Sequence, residues 1–385
     1  MGIKLILYCL FCIAPLYAIS ANDTWIQRAN FGSNGRHRAA GFSIGNKGYI
    51  GIGHYNGAGP NIVFKDWWEF DPATNSWSQK ADYNGNNGNG DYGVSTFSTP
   101  TRGYIAGGQL SGGSLNEYNP VTNTWSLTSA LPLNTSNVQG FSIGNKLYLI
   151  TGNALNEFNT TTGVWTAKNP APFTLGVWNS TFTIDNKGYV KSGYSFWEYK
   201  PTTDQWTIRA AFPGLASGGS VGFAQHNLGF IVSGYQGGLA NVNSEVWEFN
   251  PGTNSWIQRG DFYGSSRRFS VSFSIGDRCY MGTGTNGTNF NDFWEFNRLL
   301  DTEELTESVK TVAYPNPAID KVTIKSDKNL NALLEIVNQN GKVVKSINFI
   351  GNSAQVNRED YPSGVYYFQI TESNQIIAAD KFIFQ

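Results

Sequence analysis

Short apolar runs, four to six residues long, alternate along most of the chain with glycine, Asn-Pro and Asp-Pro signals. Runs of this length between turn residues predict β-strands. Two phrases recur in order, the first resembling GFSIGNKGYIGIGH and the second resembling WWEFDPATNSW. The first phrase occurs six times, with leading phenylalanines at Phe42, Phe97, Phe141, Phe182, Phe223 and Phe273.

Each repeat spans 40 to 55 residues and contains four strand-like runs. Repeats of this length, each forming a four-stranded sheet, are typical of a β-propeller. The pattern therefore predicts an all-β fold, a six-bladed β-propeller followed by a small C-terminal β-sandwich.

The two ends of the repeat region complement each other. The sixth repeat stops at FWEFN, Phe293 to Asn297, and lacks a fourth strand. The segment TWIQRANF, which begins at Thr24, matches SWIQRGDF from the end of the fifth repeat but has no repeat before it. We therefore expect this N-terminal strand to close the ring, which removes the exposed sheet edges of an open propeller.

The repeats resemble the kelch family, including the propeller of galactose oxidase-like proteins. The resemblance covers about residues 24–297 and rests on two sets of aromatic residues. The first set begins the Tyr/Phe segments that end in glycine: Tyr49, Tyr104, Tyr148, Tyr189, Phe230 and Tyr280. The second set comprises Trp77, Trp125, Trp165, Trp206 and Trp256. Only Gly107 and Gly108 keep the family's double glycine, so the resemblance implies the fold and not a subfamily.

The first 21 residues read as a secretory signal peptide, cleaved after Ala21 or alternatively after Ala18. The other interpretation, an N-terminal membrane anchor, is disfavoured because polar residues follow the apolar run at once. Cleavage leaves Cys279 as the one cysteine, so no internal disulfide can form. A net charge of -1 without a basic run argues against nucleic-acid binding.

The chain after the repeats has a different pattern. Residues 299–311 are acidic and show no strand alternation, which predicts a linker between the propeller (22–298) and a last domain (312–385). The motifs YPNPAIDKVTI, NQNGKVVKS, YPSGVYYFQI and KFIFQ follow in order. They resemble the C-terminal sorting domain of type IX secretion cargo in Bacteroidetes-type bacteria. That resemblance implies contact with the type IX machinery and a secreted or outer-membrane surface location, whereas an ordinary β-sandwich binding module is the alternative.

A ligand face is predicted from the propeller fold. The loops that enter the first strand of each blade share a face with the loops that join the second and third strands. Residues four to six positions before each leading phenylalanine therefore line that face. The candidate ligand-binding residues are Arg36, His37, Arg38, Asp91, Asn137, Trp178, Arg267 and Arg268. Arginines beside aromatic and amide side chains suit carboxylates or sugar hydroxyls, although residues in these positions can also simply cap strands and solvate the rim.

The sequence predicts no catalytic residue, metal or cofactor. A copper site of the galactose oxidase kind needs several histidine and tyrosine ligands, and the only histidines are His37, His54 and His226. We expect Cys279 to be a buried small apolar residue. The loop from Asp82 to Asp91 lacks the glycine register and the closing glutamate of a calcium loop.

Two function classes remain open. The first is a monomeric, non-catalytic propeller that binds a glycan or a protein. The second is an enzyme, an epimerase or lyase, that acts on an acidic sugar at the arginine-rich face. The first class is favoured because no general acid-base pair can be named on that face.

Overall fold

The computed structural model describes residues 23–298 and 309–385, with gaps at 58–59, 134–137, 177–178, 239, 339–342, 359–360 and 373–374. The predicted signal peptide and most of the predicted linker lie outside these residues. Within the described chain, no helix is long and apolar enough to span a bilayer.

Residues 23–298 form six four-stranded antiparallel sheets in the described part of the chain, numbered here by their leading phenylalanines. Sheet one has strands β2 (Ala40–Ile44), β3 (Lys47–Gly51), β6 (Trp67–Asp71) and β7 (Ser76–Lys80). Between β3 and β6 lies a short hairpin of β4 (His54–Tyr55) and β5 (Ile62–Val63). A 3-10 turn at Asn86–Gly88 precedes sheet two, which has strands β8 (Ser95–Ser98), β9 (Gly103–Ala106), β10 (Ser114–Asn119) and β11 (Thr124–Ala130).

The next three sheets repeat the order. Sheet three has strands β12 (Val138–Ile143), β13 (Lys146–Thr151), β14 (Ala154–Asn159) and β15 (Val164–Lys168). Sheet four has strands β16 (Ser180–Ile184), β17 (Lys187–Ser192), β18 (Ser195–Lys200) and β19 (Gln205–Ile208). Sheet five has strands β20 (Val221–Gln225), β21 (Leu228–Tyr235), β22 (Val242–Asn250) and β23 (Ser255–Gln258).

Sheet six is built from both ends of the ring. It contains β24 (Val271–Ile275), β25 (Arg278–Gly282), β26 (Phe293–Asn297) and β1 (Thr24–Arg28). Strand β1 pairs antiparallel with β26, and Trp25 lies opposite Phe296. The predicted closure by the N-terminal strand is therefore confirmed.

The first strand of each sheet contacts the first strands of both neighbouring sheets, so the six sheets form a closed ring. Aromatic side chains fill the space between sheets. Trp77 of sheet one donates its Nε1 hydrogen to Ala29 O at 2.9 Å, and Trp256 of sheet five donates to Ala210 O at 2.9 Å. Each of these tryptophans therefore packs a fourth strand against the sheet before it, as large aromatic side chains with a polar edge can do.

Residues 309–385 form one further antiparallel sheet with five strands in the described residues. They are β27 (Thr311–Tyr314), β28 (Lys321–Asn338), β29 (Val343–Asn357), β30 (Gly364–Glu372) and β31 (Gln375–Phe384). All are connected through β28, whose first part pairs with β27 and whose last part pairs with β30. Val322, Ile336 and Phe382 are fully buried in its apolar core. The all-β propeller with a C-terminal β domain, predicted from the sequence, is confirmed.

Candidate functional site

Four residues in left-handed backbone conformation set the geometry of one face of the ring. They occupy equivalent positions before the first strands of sheets one, two, five and six: Arg38 (φ 53°), Gly93 (φ 65°), Gly219 (φ 66°) and Phe269 (φ 59°). Their backbones form a relay, in which Phe269 N donates to Gly219 O at 2.9 Å, Arg38 N to Phe269 O at 3.0 Å, and Gly93 N to Arg38 O at 3.0 Å. Glycine adopts this conformation without strain, whereas a side chain does so at a cost. Arg38 and Phe269 are thus held in an unusual conformation at the face where the sequence places the ligand.

Beneath this face lies the central channel of the ring, a cavity of about 430 Å³. Its walls are the first strands of all six sheets, which contribute mainly glycine, serine and threonine. The leading phenylalanines of these strands are only 2% to 6% exposed, because their rings pack between sheets. The channel surface is therefore polar, and Arg38 and Phe269 stand at its entrance.

A compact group of aromatic and basic side chains surrounds the entrance, and we call it the mouth cluster. Its members are His37, Arg38, His54, Tyr92, Tyr235, Arg268 and Phe269. The Arg38 guanidinium carbon lies 4.2 Å from the centre of the Phe269 ring, and that of Arg268 lies 5.4 Å from the same centre. His37 and His54 meet edge to face, with 5.2 Å between ring centres. His54 also stacks on Tyr92, and Tyr235 contacts Phe269.

Arg268 differs from Arg36 and Arg267 because no described carboxylate pairs with its charge. The residue is half-buried, and among the described residues no hydrogen-bond acceptor serves its buried Nε and Nη1 atoms. Buried polar groups are nearly always hydrogen-bonded, and the exceptions mark strain or a binding role. Burial lowers the pKa of Arg268 and of Arg38, although both remain cationic because an arginine pKa lies far above neutral. The mouth therefore carries two adjacent positive charges.

The mouth histidines are neutral at ordinary pH. His37 is 1% exposed, and its Nε2 lies 2.7 Å from Asn56 Oδ1. Burial, helped by the nearby charge of Arg38, lowers the pKa of His37 to about 4. Burial also lowers the pKa of His54. The positive field at the entrance therefore comes from the arginines, and the histidines contribute rings and neutral nitrogen atoms.

Two of the predicted ligand arginines do not reach the face. Arg36 and Arg267 are fully buried, and each pairs with an aspartate from the loop before its own third strand. Arg36 Nη2 lies 3.1 Å from Asp66 Oδ2, and Arg267 Nη2 lies 2.7 Å from Asp292 Oδ2. Both guanidinium groups also stack on phenyl rings. Their donors are used inside sheets one and six, so we remove both from the candidate site.

The other predicted residues have mixed outcomes. Asp91 is fully buried and accepts bonds from the backbone nitrogens of Tyr92, Leu110 and Ser111 at 2.8, 3.1 and 3.0 Å. It therefore holds a loop and does not face a ligand. Asn137 and Trp178 lie outside the described residues. His37, Arg38 and Arg268 are the predicted residues that the structure brings together at the entrance.

Phe269, Tyr235, His54 and Tyr92 belong to the mouth cluster but were not among the predicted site residues; Tyr92 is the neighbour of the predicted Asp91. Phe269 could have been found by aligning the segments that precede the first strand of each sheet, because it occupies the same position as Arg38. His54 and Tyr235 also occupy equivalent positions, because each directly follows the glycine that ends its Tyr/Phe segment, Gly53 and Gly234. The repeat alignment therefore contained a signal for both. Backbone bridges bring their loops to the face, joining His37 to His54 and Gly218 to Tyr235.

His226 and Cys279, two side chains with potential chemistry, lie away from the mouth cluster. His226 sits in the turn between β20 and β21, at the opposite end of sheet five from the entrance. Cys279 is buried in β25, as predicted, and burial raises the pKa of its thiol to about 12. Within the described ranges, no three histidine, cysteine or acidic side chains form a group that could hold a metal ion.

Comparison with known proteins supports the two parts separately. Residues 312–385 match the family described as secretion system C-terminal sorting domain. This match supports export of the chain by the type IX secretion system, interaction with that machinery, and a cell-surface or secreted location.

The ring resembles a solved structure titled "Structure of YjhT", with a TM-score of 0.57 and 14% sequence identity. The alignment covers 69% of this chain and 96% of that one. At this identity the likeness shows the fold alone, a β-propeller. No curated protein matches the chain.

Proposed function

We propose that the propeller is a kelch-type binding module that recognises an anionic ligand, a glycan or a protein, at the mouth cluster. The observation that carries the proposal is the half-buried Arg268, whose Nε and Nη1 atoms have no acceptor among the described residues. A carboxylate of a ligand can supply that acceptor through charge-assisted hydrogen bonds. Arg38, whose guanidinium carbon lies 4.2 Å from the centre of the same Phe269 ring, supports the proposal with a second charge.

A comparison of three arginines within the ring, Arg36, Arg267 and Arg268, strengthens this assignment. Arg36 and Arg267 lie in equivalent positions and each has its own aspartate. Arg268 follows Arg267 directly, yet it forms no salt bridge with any described residue. Sequence therefore supplies carboxylates for the structural arginines, and the acceptor for Arg268 is expected from outside the chain.

The surrounding loops suit a binding role. Asn289 Nδ2 of sheet six donates to Asn56 O of sheet one at 3.0 Å, which ties the two long loops into one wall beside the entrance. Rings of Tyr92, Tyr235 and Phe269 offer apolar faces against which a sugar ring or a peptide side chain can pack. Export by the type IX system would present this face outside the cell, either on a released protein or on the surface.

The test is a binding screen of the full chain on arrays of acidic glycans and acidic peptides at about 0.15 M salt, near physiological ionic strength. Loss of a charge-assisted pair costs about 1.5–3 kcal/mol, so Arg268→Ala should weaken binding by about tenfold to a hundredfold. Arg278→Ala is the matched control, since it removes the same charge from an arginine that is 54% exposed at the start of β25. Binding that Arg268→Ala leaves unchanged, or that both variants weaken equally, contradicts the proposal. Turnover of an array ligand would instead favour an enzyme.

A further inference from the structure

The channel below the mouth cluster has a directional hydrogen-bond pattern. Five of its hydroxyl groups, all on first strands, donate to backbone carbonyls of the neighbouring sheet. The pairs are Thr96 to Gly41 (2.9 Å), Thr181 to Gly140 (2.6 Å), Thr183 to Ser142 (3.2 Å), Ser272 to Gly222 (3.0 Å) and Ser274 to Ala224 (3.0 Å). Sheets two, four and six donate, and sheets one, three and five accept.

This pattern determines what the channel wall can offer to a ligand. A hydroxyl has one hydrogen to donate and two lone pairs that accept. Since a carbonyl can only accept, the hydrogen of each of these five hydroxyls is committed to the neighbouring sheet. Each hydroxyl is therefore left as an acceptor, and the wall formed by them favours a guest that brings its own donors.

The charge of the channel restricts the kind of ligand that it can bind. Among the described lining residues there is no carboxylate, and Arg38 at the entrance is the charged group. A cation would meet positive charge at the entrance without a counter-charge below it. Neutral donors such as alcohol groups match the acceptor wall, and a volume of about 430 Å³ is within the usual range for a small-molecule site.

We propose that the ligand is a polyhydroxylated carboxylic acid that enters end-on. Its carboxylate stays at the mouth with Arg268 and Arg38, and its hydroxyl-bearing carbon chain reaches into the channel and donates to Thr96, Thr181 and Ser272. This inference rests on the proposed function for the carboxylate contact. What it adds is that the part of the ligand inside the channel must carry hydrogen-bond donors.

Three probes of similar length test the inference on the full chain by calorimetry. Gluconate carries a carboxylate and hydroxyls, hexanoate carries the carboxylate alone, and glucitol carries the hydroxyls alone. We expect gluconate to bind at least tenfold more tightly than either of the others. Equal affinity for gluconate and hexanoate, both lost in Arg268→Ala, overturns the channel inference and leaves the mouth assignment standing. Absence of binding by both carboxylates overturns both.

Variants of the wall give an independent readout. Thr181→Val keeps the side-chain shape but removes the acceptor, so gluconate affinity should fall by about tenfold, whereas hexanoate affinity should stay the same. Thr166→Val on the exposed fourth strand β15 is the matched control. An unchanged gluconate affinity in a folded Thr181→Val protein overturns the inference. Should that variant fail to fold, the three probes on the unaltered chain decide the question.

Discussion

The Asp23 carboxylate and the Arg259 guanidinium form a two-point ion pair, with 2.7 Å from Nε to Oδ2 and 2.9 Å from Nη2 to Oδ1. Their side chains are 2% and 3% exposed. Asp23 directly precedes β1, while Arg259 follows β23 of sheet five. Glu248 of sheet five lies 3.7 Å from Arg259 and also binds Arg298, which directly follows β26. Buried charges therefore anchor both ends of the ring on the neighbouring sheet.

Asp23→Ala should destabilise the ring. It leaves the Arg259 charge buried with only the more distant Glu248, and removal of one partner of a buried pair costs about 3–5 kcal/mol. All 12 tryptophans lie between residues 25 and 294, so urea unfolding followed by tryptophan fluorescence reports on the ring and not on the tail. Asp82→Ala is the control, since its partner Lys65 is 3.4 Å away at the surface, and such pairs contribute at most about 1 kcal/mol. Equal effects of the two changes would count against the anchor.

Trp25→Ala should loosen the closure of the ring. The Trp25 ring is 5% exposed and lies 4.8 Å from Phe262 and 4.9 Å from Phe296, centre to centre. Truncation of a buried tryptophan costs about 3–5 kcal/mol. The adjacent Ile26 is 40% exposed, so Ile26→Ala should change the free energy of unfolding by less than about 1 kcal/mol. The closure is not cooperative with the ring if both variants unfold at the same urea concentration.

Arg36 and Arg268 should respond in opposite ways to the same substitution. Arg36→Met leaves Asp66 without its buried partner and should cost about 3–5 kcal/mol of unfolding free energy. Arg268→Met removes a charge that forms no salt bridge with any described residue, so stability should stay within about 1 kcal/mol while ligand binding is lost. Urea unfolding and the array screen measure the two effects. The division into structural and binding arginines fails if Arg36→Met leaves stability unchanged.

The repeats made the sheets and the closure predictable, because strand length, turn residues and one tryptophan per sheet recur with the same spacing. The repeat pattern did not distinguish the structural role of Arg36 from the position of Arg38 at the mouth. Both precede the first strand, and the left-handed conformation of Arg38 directs the two side chains to different places. The signal for Arg36 lay further along the chain, where Asp66-x-Trp68 recurs after Arg267 as Asp292-x-Trp294. In the structure these tryptophans donate to the same aspartates, at 2.9 Å in both cases.

The stability of the ring should fall as the medium is acidified below pH 6.5. The pKa of His37 is about 4 in the folded chain because of burial, against 6.5 ordinarily. Between those values the unfolded chain binds more protons, so stability decreases as pH falls, at about 1.4 kcal/mol per pH unit and by up to about 3 kcal/mol in total. His37→Asn should flatten the difference between urea midpoints at pH 7 and pH 4.5. His226→Asn is the control, since asparagine tolerates the backbone conformation there (φ 48°). A pH dependence shared by all three proteins would rule out this origin.

Lys191 is a buried amine in an unusual position. The equivalent residues of the other second strands are Gly51, Ala106, Ile150, Val232 and Gly282. Lys191 is 0% exposed, and its Nζ lies 4.8 Å from the centre of the Phe212 ring with no hydrogen-bond partner among the described residues. Burial lowers its pKa from 10.5 to about 8. The folded chain therefore carries the cost of a buried charge at neutral pH.

Lys191→Met should accordingly stabilise the ring at pH 7, by about 1–3 kcal/mol. The sign follows from the lowered pKa: the amine is protonated in both states below pH 8, and above it the unfolded chain retains more protons. The unaltered chain should therefore gain stability between pH 8 and pH 9.5, whereas the variant should not. Lys187→Met in the same strand is the matched control, because Lys187 is 31% exposed and lies 3.3 Å from Glu198. If Lys191→Met lowers the urea midpoint at pH 7, the contact with Phe212 outweighs the burial of the charge, and the prediction is wrong.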